Sequence, residues 1–166
     1  GIANEVVLRG LQSRDLNVLI DGQRVYGACP NHMDPAAFHV DFAEVERVEV
    51  GKGPFDLKNQ GALGGTVNVV TRKPAPGWSA APNLALGSYG FVNPSLTVGH
   101  GGERLSALLG YSYRAADAYQ DGAGRRFTET ANYRPEAQDD RAFEVGTAWG
   151  RVLWAPAPGQ QLDLPY

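Results

Sequence analysis

The side chains with the most chemistry to offer lie in Cys29-Pro30-Asn31-His32-Met33, where the chain's one cysteine and one methionine stand four residues apart beside a histidine. Thiolate and thioether are soft donors that select monovalent copper over harder ions, and imidazole suits copper and zinc alike. The spacing therefore points to a copper site with Cys29 and Met33 as ligands and His32 as an added candidate. Buried cysteine and adaptable methionine more often serve as packing, and a loop histidine is often simply solvated. The surroundings favour ligation: Tyr26-Gly27-Ala28 comes before and Asp34-Pro35 after, which is loop composition rather than core composition.

The elements that must position this loop are short strands joined by tight turns. Glu5 to Gly10 is a short apolar run closed by glycine. Asn17-Val18-Leu19-Ile20 meets Gln23-Arg24-Val25-Tyr26 across Asp21-Gly22, a dipeptide that accepts positive φ at both turn positions and so predicts a hairpin. Residues 34–43 predict one or two helical turns with Asp34 as cap before Pro35, and Val45 to Val50 a strand. The glycines of 51–53 and 61–65 lack both the Gly-Lys-Ser/Thr of a phosphate loop and the third glycine of a dinucleotide fingerprint. Gly53, Gly64 and Gly65 are better read as turn and close-packing positions. Pro74-Ala75-Pro76-Gly77 marks a boundary, since it continues neither strand nor helix.

Beyond that boundary the pattern changes. Val92, Pro94, Leu96 and Val98 share one face while Asn93, Ser95, Thr97 and Gly99 share the other, the period-two alternation of a strand. Leu105, Ala107, Leu109, Tyr111 and Tyr113 repeat it opposite Ser106, Gly110, Ser112 and Arg114, with Leu108 as the exception. Tyrosines at the strand end suit an aromatic girdle. A short turn at 100–103 and a long polar loop at 115–140 complete the description of an outer-membrane barrel, favoured over a soluble sandwich because the polar faces carry few charges. Phe143 to Trp154 predicts another strand, in which Arg151 shares a face with Phe143, Val145 and Trp149, either at the membrane edge or past a bulge. Residues 160–166 begin a further strand.

Composition bounds the rest. A net charge of -3 carries no basic footprint for nucleic acid. One cysteine closes no internal disulfide, and in an oxidising compartment an unpaired thiol makes a ligand role more attractive. No apolar run reaches the length of a signal peptide or a membrane helix. Without an initiating methionine, the chain reads as an internal fragment. Ser79, Ser88 and Ser106 lack a nucleophile motif, and His39 and His100 have no partner at useful spacing. An enzyme is not expected.

Val45-Glu46-Arg47-Val48-Glu49-Val50, then Gly53-Pro54, then Gly61-Ala62-Leu63-Gly64-Gly65-Thr66-Val67-Asn68-Val69-Val70-Thr71 follow one another in a fixed order. With Leu8-Arg9-Gly10 and the Asp21-Gly22 hairpin, this series resembles the plug of TonB-dependent outer-membrane receptors. The resemblance implies a mainly β chain with minor α. Residues 1–73 would be a partial plug, a small mixed sheet with short helices; 74–77 a linker; and 78–166 the first antiparallel strands of an incomplete transmembrane β-barrel. It implies a Gram-negative outer membrane, contact with its lipid and with the TonB energy-coupling complex, and no catalytic cofactor. The contact segment for TonB, the signal peptide and most of the barrel would lie outside this chain. An open sheet leaves backbone groups unpaired in lipid, so these strands are not expected to insert alone.

Within that family, residues 27–35 look like the plug loop of the copper-receptor branch. The carry-over covers Cys29 and Met33, implies further ligands from the barrel, and makes copper, as Cu(I), the bound substrate. Glu46, Arg47 and Glu49 would form plug charge pairs that matter when the plug moves, or else solvated charges on a strand face. A receptor for an iron-siderophore or other metal chelate is the alternative, and a structural or adhesive barrel a further one.

Overall fold

The computed structural model describes residues 5–12, 15–26, 35–56, 58–59, 61–130, 134, 136 and 141–165. The chain divides into two compact units, 1–73 and 74–166.

The first unit is built on a four-stranded sheet of β1 (Leu16–Ile20), β2 (Gln23–Arg24), β3 (Val45–Lys52) and β4 (Gly65–Thr71), in the order β2-β1-β4-β3. β1 runs parallel to β4 and antiparallel to β2, while β3 is antiparallel to β4, so the sheet is mixed, as expected. Between β1 and β2, Asp21 and Gly22 take φ of 49° and 78°, the two positive values that a tight hairpin of this twist requires. The register gives the sheet two unlike faces. Leu16 and Val18 of β1 share one with Val67 and Val69 of β4, and Leu16 and Val18 are buried with Ala36 against Val6, Leu8 and Val25. Asn17, Leu19, Thr66, Asn68 and Glu49 share the other.

Two local expectations are corrected and a third is narrowed. The run from Glu5 is no strand: Arg9 and Gly10 both have positive φ, so the chain reverses at once, and among the described residues only Leu8 and Leu11 pair, exchanging two 3.0 Å hydrogen bonds. The helical segment is a single 3-10 turn, Ala36–His39, whose N-cap is the extended Pro35 with no side-chain cap bond; Asp34 lies outside the described residues. β3 continues two residues past Val50 because Gly51 and Lys52 still find partners in Thr66 and Gly65.

The second unit is a meander of five antiparallel strands in sequential order: β5 (Gly77–Leu86), β6 (Val92–Gly101), β7 (Leu105–Ala116), β8 (Phe143–Trp154) and β9 (Leu162–Pro165). β5 starts at Gly77, the last residue of the sequence-predicted linker. A four-residue helix, Phe127–Thr130, interrupts the long loop between β7 and β8.

Burial on this sheet runs opposite to that of a soluble sandwich. Leu96 and Val98 are exposed while their polar neighbours Ser95 and Thr97 are buried, with Leu96 at 48% and Thr97 at 6%. The register carries the apolar row across the strands, pairing Pro82 with Leu96, Leu96 with Tyr111 and Val98 with Leu109. On the other face Ser95 meets Ser112, and Gly110 meets Trp149. An apolar face turned outward and a Ser/Thr/Gly face turned inward is the wall of a barrel whose solvent is lipid. Trp78 and Trp154 stand toward one end of the exposed face, Trp78 with its ring centroid 4.7 Å from that of His100.

Arg151 is explained by that inner face. The β7–β8 register runs unbroken from Leu105 opposite Trp154 to Ala116 opposite Phe143, so no bulge shifts the phase. Phe143, Val145, Thr147, Trp149 and Arg151 all belong to the inner row, and the outer row of β8 is Glu144, Gly146, Ala148, Gly150, Val152 and Trp154. Arg151 is 6% exposed and donates to Asp163 of β9 through Nε at 2.7 Å and Nη2 at 2.5 Å. The two-pronged geometry suits a guanidinium and neutralises a charge that burial would otherwise penalise.

Candidate functional site

The residues that flank 27–34 on either side are well defined. β2 delivers the chain through Val25, packed on the core, to the exposed Tyr26, over whose ring the Arg24 guanidinium sits at 4.9 Å. It re-enters at Pro35, which is buried beside Ala36 and accepts a 2.8 Å bond from the Phe38 N–H. Cys29, His32 and Met33 all lie in 27–34, outside the described residues. Among the described residues, no group of three or more His, Cys, Asp or Glu side chains is placed to hold a metal ion.

The charged residues of β3 are brought together. Arg47 bridges Glu46 and Glu49, each at 2.9 Å, and all three side chains are about half exposed. Glu49 also accepts a 2.9 Å bond from the Asn68 amide, whose own oxygen takes the Gly22 N–H at 2.9 Å. This chain of contacts ties β3, β4 and the β1–β2 turn together. The Asn68 hydrogen bond, and after it the bond from Arg47, hold the Glu49 carboxyl below the usual glutamate range. A depressed acid contributes stability that is complete above its unfolded pKa and is lost as pH falls through its lower folded pKa. Amide protection of Gly22 in the whole receptor is therefore expected to weaken as the pH drops below about 4, and Glu49→Gln should flatten that dependence. An unchanged pH profile in the variant would exclude Glu49 as the titrating group.

An open cleft of about 590 Å³ lies beside Glu49, Thr66 and Asn68, with Lys52, Asp56 and Lys58 around it. Asp56 is an organising residue that the sequence did not advertise. Its carboxylate accepts from the Lys58 and Asn59 backbone N–H groups, the Asn59 side chain and the Thr66 hydroxyl, at 2.9 to 3.2 Å. The Asn59 side chain contributes most to holding its carboxyl below the aspartate range. An aspartate two residues after Gly-Pro was the available sign of such a turn.

The glycines act by absence of side chain. A Cβ on Gly65, whose φ is +137°, would stand 2.2 Å from the Gly51 carbonyl oxygen, and one on Gly64 would stand 2.6 Å from a methyl of Leu11. A Cβ on Gly53, whose φ is +82°, would meet the Phe55 ring at 2.9 Å.

The class that this fold defines is a mixed sheet of plug type followed by antiparallel strands of barrel type. Residues 1–66 match the family model described as TonB-dependent Receptor Plug Domain. Over 160 residues, 90% of the chain, it is 32% identical to the vitamin B12 transporter BtuB of Photobacterium profundum, of which it covers 24%. It is similar in structure to the copper transporter OprC, with 27% identity and a TM-score of 0.74 over 96% of this chain and 23% of that one. The pyoverdine outer membrane receptor FpvA from Pseudomonas aeruginosa PAO1 shares the fold at 20% identity and a TM-score of 0.69, over 97% of this chain and 21% of that one. Residues 1–66 are thus a TonB-dependent receptor plug domain, and receptors of this family are outer-membrane proteins of Gram-negative bacteria. The chain spans about a quarter of the length of these relatives.

Proposed function

We propose that the whole receptor binds and imports copper, as Cu(I), through ligands that include Cys29 and Met33, with His32 as a further candidate. The reading makes it a binding and transport protein and not an enzyme, with 1–73 as plug, 74–77 as linker and 78–166 as barrel strands, and with TonB supplying the energy. The observation that carries it is chemical: the chain's only two sulfurs stand four residues apart in one loop, and soft sulfur donors select monovalent copper. Similarity to a copper transporter supports it. Copper binding by the full-length receptor under reducing conditions tests it. Stoichiometric binding that is lost in both Cys29→Ser and Met33→Ala is the expected result. Binding undiminished in the variants, or absent from the parent, would return the protein to the metal-chelate receptors.

A further inference from the structure

The parallel ladder between β1 and β4 ends at Ile20 opposite Val69, yet β4 runs on to Thr71. Thr71 is 4% exposed, so its N–H and hydroxyl need partners on the side that β1 has vacated. The side chain of Asp21 supplies them. Its Oδ1 accepts the Thr71 N–H at 2.9 Å and its Oδ2 accepts the Thr71 hydroxyl at 2.6 Å, while the Asp21 N–H donates to the Val69 carbonyl at 2.9 Å. Gly22 adds a fourth bond, from its N–H to the Asn68 side-chain oxygen. A main-chain group cannot do this, because Asp21 has already turned into the left-handed region that aspartate tolerates.

We propose that Asp21 is a positioning residue, a catch that locks the β1–β2 turn to the end of β4 so that both move as one piece. Thr71 lies two residues before the first unit ends at Lys73. On its other side Arg72 is bound as well, its N–H to the Glu44 carbonyl at 2.8 Å and its Nε to the Val45 carbonyl at 3.2 Å. A displacement of the turn is thus passed through the Asp21 carboxylate to 71–73 and into the segment that leaves the unit. The β1–β2 turn is joined through β2 to the sulfur-bearing loop, but the catch is independent of what that loop binds.

Amide hydrogen exchange on the full-length receptor tests this without any ligand. Asp21→Gly deletes the carboxylate and keeps the positive φ. Exchange at Thr71 is expected to rise at least tenfold, with Val67 in the middle of β4 unchanged. Asp21→Asn keeps an oxygen for the Thr71 N–H and should restore most of the protection. Thr71→Val, which removes only the hydroxyl donor, should give a smaller rise and serves where Asp21→Gly yields no folded receptor. Full protection of Thr71 in Asp21→Gly and in Thr71→Val would overturn the catch. So would an equal loss at Val67, which would make Asp21 a general stabiliser of the sheet.

Discussion

Replacing Gly65 with alanine is expected to dismantle the β3–β4 pairing of the plug sheet. The added Cβ would sit 2.2 Å from the carbonyl oxygen of Gly51 and 3.3 Å from the Gly53 nitrogen. Both are backbone atoms of the neighbouring strand and its exit, so no rotamer change relieves the contact. A φ of +137° adds strain for any side chain. Together these should cost on the order of 3 kcal/mol or more. Gly51→Ala is the matched control. Its nearest neighbour would be 3.9 Å away, and it should stay within about 0.5 kcal/mol of the parent. Hydrogen exchange across β3 and β4 in the full-length receptor reads both. Equal protection in the two variants would show that the strands separate freely at Gly65 and would exclude the close approach as their constraint.

Leu109→Arg should be nearly as damaging, for a reason belonging to the solvent. Leu109 is 61% exposed near the middle of β7, between Val98 and Gly150 of the flanking strands. In water such an exposed position takes arginine at little cost. In lipid near the bilayer midplane the same change costs about 2–4 kcal/mol. Leu109→Ala, which adds no charge, separates that penalty from simple loss of side-chain contact. Folding of the whole receptor into lipid vesicles in urea measures both. An arginine variant that folds as well as the parent would refute the lipid-facing assignment of Leu109, and with it that of its row.

Much of this architecture is legible from residue order because its signals are local. Asp21-Gly22 predicts its hairpin through conformational preference alone. The alternation through Val92 to Gly99 and through Leu105 to Arg114 assigns each residue to the correct face, because side chains on a strand alternate whatever it packs against. Local rules fail where partners are distant. The Glu5 run looks like a strand, but a strand needs a neighbour, and after the reversal at Arg9-Gly10 only Leu8 and Leu11 pair among the described residues. Arg151 contradicts its apolar neighbours until Asp163 is placed beside it and the row with Trp149 is seen to be the inner one. Trp149 is accommodated there because Gly110 opposite it has no side chain; a Cβ would stand 2.1 Å from the indole.

Residue order alone carries the class of protein, the loop holding both sulfurs, and the two faces of β6 and β7. These follow from side-chain chemistry and from periodicities built into the backbone. Three features emerge only on folding: which face of the second sheet is exposed, the parallel placement of β1 beside β4, and the tie that Asp21 makes between segments remote in the chain. Asp21 reaches Thr71 across fifty residues of chain. Such a contact exists only after the sheet has formed, because no local preference encodes the distance between two strands brought together by burying Leu16, Val18 and Val67.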